Sequence, residues 1–150
     1  SRLRCATPTC SARQRTASLL VWWALTEEGS YIVKRVADLT GDHVHRCNRS
    51  YNRTVNCVPL TEQYIFPGDV PSQEPFDISV PVARVWVMGD HRSESADSRP
   101  HDQGSGGVKG TVPERLIVGR AISVVWPLPH LAWLDNHGET VTMVPAATAR

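Results

Sequence analysis

The chain has 150 residues, and 16 Lys and Arg against 15 Asp and Glu give it a formal net charge of +1. This length fits one domain, and the near-neutral charge disfavours a protein that binds nucleic acid. With 10 Gly, 11 Pro and short apolar runs, the composition favours strands and turns over a helical bundle.

The first 30 residues differ in amino-acid composition from the rest of the chain. Residues 1–26 contain four Arg and no acidic residue. Their apolar run, 18–25, is much shorter than the ~20 residues that a membrane-spanning helix needs. We therefore expect residues 1–30 to form an atypical or degenerate N-terminal segment without a transmembrane helix.

From Tyr31 onwards, short apolar segments alternate with turns, as in an antiparallel meander. We expect strands within 31–37, 43–46, 54–60, 83–90 and 115–126. Residues 61–80 hold three prolines and indicate an irregular connection. The polar stretch 90–110 is long enough for a functional loop. The predicted β domain therefore covers residues 31–134, and residues 135–150 read as a frayed tail.

Two of the four cysteines flank a turn-rich stretch. Cys47 and Cys57 are placed to face each other across a hairpin, and a bond between them would indicate an oxidising compartment. Two unrelated thiols are the alternative, because spacing does not establish connectivity. The chain has no CxxC pair, so zinc-ribbon spacing is absent.

Lys34 lies in the middle of an apolar strand. Alternation along the strand puts Ile32, Lys34 and Val36 on one face. Burial disfavours the charged form of a lysine, and a neutral amine can act as a general base. The alternative is an ordinary strand lysine whose amine reaches water.

The second candidate region is the loop that follows the strand ending at Met88. A polar loop at the end of a buried strand is a common place for a site. The loop combines carboxylates, two histidines, two arginines and serines within residues 90–101. Its arginines neutralise its carboxylates, so we expect neither a metal nor another cofactor there. A solvated charged loop is the alternative.

These two regions also carry a family resemblance. Residues 89–99, GDHRSESADSR, resemble the G-D-N-R-x-x-S-x-D-S-R box of type I signal peptidases, the membrane-anchored Ser/Lys endopeptidases that remove secretory leader peptides. Residues 31–36, YIVKRV, resemble the family's Y-I-x-K-R-V signature. Val80-Pro81 and the segment 112–121, VPERLIVGRA, fall where the family has similar motifs. The resemblance covers residues 31–134 and implies an all-β, mainly antiparallel, barrel-like fold with long loops and little helix.

The resemblance implies a role for each matching residue. Lys34 would be the general base, Ser95 would orient its amine, and Gly89 would leave space beside it. The pairs Asp90 with Arg35 and Asp97 with Arg99 would hold the loop against the Lys34 strand. The substrates implied are secretory pre-proteins with small residues at P1 and P3, cleaved at the extracytoplasmic face of the cell membrane.

The nucleophile is the main departure from the family. Its S-M-x-P-T motif does not occur here, and the nearest segment is Cys5 to Thr9, CATPT. We identify no nucleophile, and we hypothesise that residues 1–22 are not family sequence. The predicted function is a Ser/Lys endopeptidase that removes signal peptides, truncated and lacking its nucleophile. The alternative is a catalytically inactive relic or a peptide-binding module.

Overall fold

The computed structural model describes residues 31–46 and 52–145 together with the backbone of residues 21–25. This part of the chain is mainly antiparallel sheet with one short α-helix, α1 (Ser98–Asp102). Its strands are β1 (Val21–Leu25), β2 (Tyr31–Asp38), β3 (His43–Arg46), β4 (Thr54–Val55), β5 (Val58–Pro59), β6 (Phe76–Ser79), β7 (Arg84–Met88), β8 (Val112–Pro113), β9 (Ile117–Arg120), β10 (Ser123–Val124) and β11 (Ala132–Trp133). Short 3-10 helices cover Glu114–Leu116, Leu128–His130 and Gly138–Val141. The expected all-β class is confirmed.

The strand that carries Lys34 lies at the centre of a five-stranded sheet with the order β8-β7-β2-β1-β9. It pairs with β1 so that Lys34 is opposite Trp22, and with β7 so that Arg35 is opposite Met88. The second pairing brings Lys34 to the end of β7, where the polar loop begins. Because β7 ends at Met88, Gly89 and Asp90 follow directly beside β2.

A four-stranded sheet, in the order β5-β4-β3-β6, packs against the first one. The main hydrophobic core combines side chains of both sheets, among them Trp86 and Met88 of β7, Val44 of β3 and Ile78 of β6. Alternation in β2 assigns Ala37 to this core and Val36 to a smaller cluster with Val85 and Val87 on the other side. The central sheet is therefore covered on both faces.

A separate two-stranded sheet is formed by β10 and β11. Its connection and flanks present several large apolar side chains to the surface: Ile122, Val125, Trp126, Leu128, Leu131 and Trp133. In the part of the chain that the structure describes, no helix is both long enough and apolar enough to cross a membrane.

Three expectations about the chain's organisation need correction: residues 21–25 as part of an atypical segment, 61–80 as an irregular connection and 135–145 as a frayed tail. Residues 21–25, which we assigned to an atypical segment, form β1 between β2 and β9. The connection 61–80 contributes β6, whose Ile78 fills the core, and the loop 90–110 contains α1. Residues 135–145 are not a frayed tail, because Val144 is only 1% exposed and packs in the main core.

The cysteine expectation is only partly addressed. Cys57 is disulfide-bonded, but Cys47 and the other two cysteines lie outside the described residues. A Cys47–Cys57 bond therefore stays a prediction.

Candidate active site

The Lys34 amine lies next to a hydroxyl from a distant part of the chain. Lys34 Nζ donates a hydrogen bond to Ser95 Oγ at 2.7 Å, across 61 residues of sequence. Lys34 is half-buried, and Ile32 on the same strand face is 38% exposed. The shielding of Lys34 therefore comes more from the loop that carries Ser95 than from Ile32.

Gly89 allows this contact because it has no side chain. A Cβ at Gly89 would overlap Ser95 Oγ, lie 2.6 Å from Ser95 Cβ, and lie 3.7 Å from Lys34 Nζ. Real Cβ atoms do not approach other atoms so closely, and close-packed sites tolerate added atoms poorly. The missing side chain of Gly89 therefore gives Ser95 the room to reach Lys34, as the resemblance implies.

Arg35 and Asp90 join β2 to the start of the loop. Arg35 Nε and Nη2 donate to the two oxygens of Asp90, both at 2.8 Å. This two-point geometry is stronger and more directional than a single contact. Arg35 is only 7% exposed, whereas the Asp90 side chain is 44% exposed. The ion pair therefore lies at the edge of the interior.

Asp97 holds the loop at its other end. Its carboxylate accepts bonds from Arg99 Nε at 2.9 Å and Nη2 at 2.7 Å, and from Gly89 N at 3.1 Å. Asp97 also caps α1 by accepting from Arg99 N. Although burial alone raises the pKa of Asp97, the bonds from Arg99 outweigh it and lower that pKa. The ionised carboxylate therefore ties Gly89 to the helix start.

A buried ionic cluster behind the loop was not foreseen from the sequence. Glu62 Oε1 accepts bonds from Arg53 Nη2 at 3.0 Å, Arg92 Nη2 at 2.8 Å and Tyr64 OH at 2.7 Å. Arg53 also pairs with buried Asp38. Burial by itself raises the pKa of Glu62, but attraction to Arg53 and Arg92 lowers it to about 2. Arg92 belongs to the loop that the sequence identified as a candidate site. Glu62 lies in residues 61–80, which we predicted to be an irregular connection.

A cleft of about 280 Å³ opens beside Lys34. Its walls include the apolar side chains Ile32, Val87, Val112, Pro113 and Leu116. Among the described residues, no group of three His, Cys, Asp or Glu side chains is arranged to hold a metal ion. Polar and charged side chains also line the cleft, among them Asp97, His101 and Lys109.

Every predicted site residue lies in one region: Lys34, Arg35, Gly89, Asp90, Ser95, Asp97 and Arg99. The contacts expected from the resemblance are present, while the catalytic roles of these residues remain predictions. Cys5 and the segment around it lie outside the described residues. Within the described part, Ser95 provides the hydroxyl that contacts the Lys34 amine.

The chain matches the family described as "Signal peptidase, peptidase S26" over residues 11–126. The match begins inside the segment 1–22, so our hypothesis that this segment is not family sequence is wrong for residues 11–22. Residues 31–36 and 89–99, which carry the resemblance, both lie inside the match.

Individual relatives agree with this match. "Signal peptidase I" from Mycobacterium tuberculosis is 40% identical over 108 residues, which cover 64% of this chain and 36% of that protein. "Probable signal peptidase I-2" from Synechocystis is 34% identical over 117 residues, covering 77% of this chain and 48% of that protein. "Mitochondrial inner membrane protease subunit 1" from Schizosaccharomyces pombe is 36% identical over 74 residues, covering 47% and 41%. The chain thus spans about a third to a half of the length of the curated relatives it matches.

The fold has a solved counterpart. The crystal structure of a signal peptidase I from Enterococcus faecalis superimposes with a TM-score of 0.53 at 20% identity, covering 73% of this chain and 99% of that chain. At this identity the likeness supports the fold.

Proposed function

Because this chain belongs to the signal peptidase family, peptidase S26, we propose that it is the catalytic part of an endopeptidase that removes signal peptides from secretory pre-proteins. The observation that carries the proposal is the 2.7 Å contact between Lys34 Nζ and Ser95 Oγ, beside Gly89 and an apolar cleft. A half-buried amine held by a hydroxyl, with no carboxylate bonded to it among the described contacts, suits a general base.

The proposed reaction is acyl transfer. The neutral Lys34 amine takes the proton of a nucleophile, whose oxygen or sulfur attacks the carbonyl carbon of the scissile peptide. The resulting ammonium gives that proton to the leaving amine as the peptide bond breaks, which leaves an acyl-enzyme. Water, deprotonated by the same amine, then hydrolyses the acyl-enzyme and restores the nucleophile. Ser95 orients the Lys34 amine throughout.

The nucleophile is the open part of this proposal. Cys5 is the candidate from the sequence, and a thiolate can act as nucleophile when a cation stabilises it. If no nucleophile operates, the same cleft remains available for peptides, and the chain is a peptide-binding relic of the family. The apolar walls of the cleft, among them Ile32, Val112 and Leu116, support this second candidate.

We propose to test both functions with a leader peptide that has Ala at P1 and P3. The parent chain is compared with Lys34→Ala, Cys5→Ala and Val82→Ala, because Val82 is exposed and does not line the cleft. Cleavage that Lys34→Ala abolishes and Val82→Ala retains supports the endopeptidase, and loss with Cys5→Ala identifies the nucleophile. Binding without cleavage, weakened in Lys34→Ala, supports the relic, and neither binding nor cleavage by a folded parent contradicts both.

The family is membrane-associated, and we propose that this chain works at the extracytoplasmic face. The disulfide at Cys57 supports this location, since such bonds persist in oxidising compartments. A contact surface is available around β10 and β11, where Trp126 is 75% and Trp133 is 82% exposed. Exposed Trp with neighbouring Leu side chains suits the interface between lipid and water.

A further inference from the structure

Arg92 connects the buried ionic cluster to the residue that packs on the proposed catalytic pair. Its Nε donates to the carbonyl oxygen of Gly89 at 2.9 Å, and its Nη2 donates to Glu62 Oε1 at 2.8 Å. Arg92 is buried, so water does not replace these bonds if one is lost. Arg92 Nη1 also donates to the carbonyl oxygen of Pro71, so Glu62 and Pro71 together hold the guanidinium that bonds the Gly89 carbonyl.

Tyr64 supports the other arginine next to the same backbone. The guanidinium of Arg35 lies over the Tyr64 ring, 4.0 Å from its centre, while it bonds Asp90. The Tyr64 hydroxyl donates to Glu62 Oε1 at 2.7 Å. A cation over an aromatic face is attracted to it. Tyr64 therefore helps to hold the guanidinium of Arg35 in place, as Glu62 helps to hold that of Arg92.

The two supports act on consecutive residues. Glu62 reaches the carbonyl of Gly89 through Arg92, and Tyr64 reaches the carboxylate of Asp90 through Arg35. The backbone of the same connection contributes as well, since Phe66 N donates to Asp90 O at 2.9 Å. Residues 62–66 thus brace the Gly89–Asp90 segment.

The packing at Gly89 leaves little freedom for this segment. The space beside Ser95 and Lys34 is too small for even one added carbon. A displacement of a few tenths of an ångström in the Gly89 backbone would therefore change how Ser95 meets Lys34 Nζ. Hydrogen-bond strength depends steeply on such geometry, and misplacement of catalytic groups by about 1 Å can cost 100-fold in rate.

We propose that Glu62 and Tyr64 are positioning residues that hold Gly89 and Asp90 against the Lys34–Ser95 pair. They touch neither reacting group and act through Arg92 and Arg35. The inference rests on the proposed function in that Lys34 is taken as the base.

Because the chain has only two lysines, the surroundings of the Lys34 side chain can be followed by NMR. With carbon-13-labelled lysine, the folded chain gives side-chain signals from Lys34 and Lys109 alone, and Lys34→Arg assigns them. Ser95→Ala supplies the reference, because it removes the hydroxyl that Lys34 contacts. Val141→Ala is the matched control for lost stability, since Val141 is buried in the main core that also contains Tyr64, but its side chain forms none of the polar contacts of this bracing.

We expect Glu62→Gln to move the Lys34 signal in the direction that Ser95→Ala moves it, while the Lys109 signal stays in place. Tyr64→Phe removes only the hydroxyl and keeps the ring under Arg35, so it should give a smaller shift of the same sign. In the cleavage assay, kcat should fall by about 10-fold or more for Glu62→Gln, with KM little changed. Val141→Ala should leave the Lys34 signal unmoved.

The proposal is overturned if Glu62→Gln and Tyr64→Phe fold and leave the Lys34 signal where the parent has it. If Glu62→Gln does not fold, Tyr64→Leu, which removes the ring under Arg35, takes its place, and a Lys34 signal that keeps its parent position then overturns the proposal. The NMR signal of Lys34 is measured without substrate, so this test does not depend on cleavage. If the variants shift the Lys34 signal but the parent does not cleave the peptide, the positioning proposal stands and the role of Lys34 as general base is contradicted.

Discussion

Gly89 and Ser95 pack so closely that a Cβ added at Gly89 would lie 2.6 Å from the Cβ of Ser95. This approach brings the Ser95 hydroxyl to Lys34 and leaves no room for a side chain at position 89.

Gly89→Ala should destabilise the fold by about 1–3 kcal/mol, because the added methyl group overpacks the site. It should also displace Ser95 from Lys34 and reduce peptide cleavage. Urea unfolding measures the first effect and the leader-peptide assay the second. Gly119→Ala is the matched control, since a Cβ at Gly119 meets nothing within 4 Å. Equal stability of the two variants would contradict the packing argument.

The Arg35–Asp90 pair should respond unequally to removal of its two partners. Asp90→Ala leaves Arg35 charged, 7% exposed and without its carboxylate, whereas Arg35→Met leaves an Asp90 that is 44% exposed and can be hydrated. An uncompensated buried charge costs about 3–5 kcal/mol. Asp90→Ala should therefore be the more destabilising change in thermal or urea unfolding. The reverse order would show that packing of the Arg35 side chain matters more than its charge.

The ionised carboxylate of Glu62 should stabilise the fold at neutral pH, and this contribution should be lost in strong acid. Its pKa is about 2 in the folded chain and about 4.3 when unfolded, so between these values the folded state binds fewer protons. The contribution is thus fully present above pH ~4.3 and is lost as the pH falls towards 2, by on the order of 3 kcal/mol.

Urea unfolding of the parent and Glu62→Gln at several pH values measures this contribution. The difference in unfolding free energy between them should shrink as the pH falls below about 4. If this difference stays constant between pH 7 and pH 3, the negative charge of Glu62 does not contribute to stability through Arg53 and Arg92.

The exposed apolar surface near β10 and β11 should bind lipid. Replacing both Trp126 and Trp133 by Ala should weaken sedimentation of the chain with phospholipid vesicles by about 10-fold or more, since burying a Trp in the interface contributes on the order of 1–2 kcal/mol. Val82→Ala, at another exposed apolar residue, is the control. Unchanged vesicle binding in the double variant would exclude this surface as the membrane contact.

The local features of the site were readable from the sequence. Strand alternation placed Lys34 and Val36 on one face of β2, because side chains alternate with a period of two in any strand. The Asp97–Arg99 pair was implied by the family resemblance, and the structure shows that the two residues begin the same helix. The family boxes added the expectation that Ser95 meets Lys34.

Only the tertiary structure decided what lies behind these residues. Glu62 and Tyr64 sit in a proline-rich segment without periodicity, so nothing in their own neighbourhood marks them as partners of Arg92 and Arg35. Val144 lies near the chain end and has no local pattern either, yet it fills the main core. Periodicity and turn residues encode local conformation. Which buried charge meets which, and which late residue closes the core, depends on the packing of segments far apart in sequence, and that is settled only when the sheets come together.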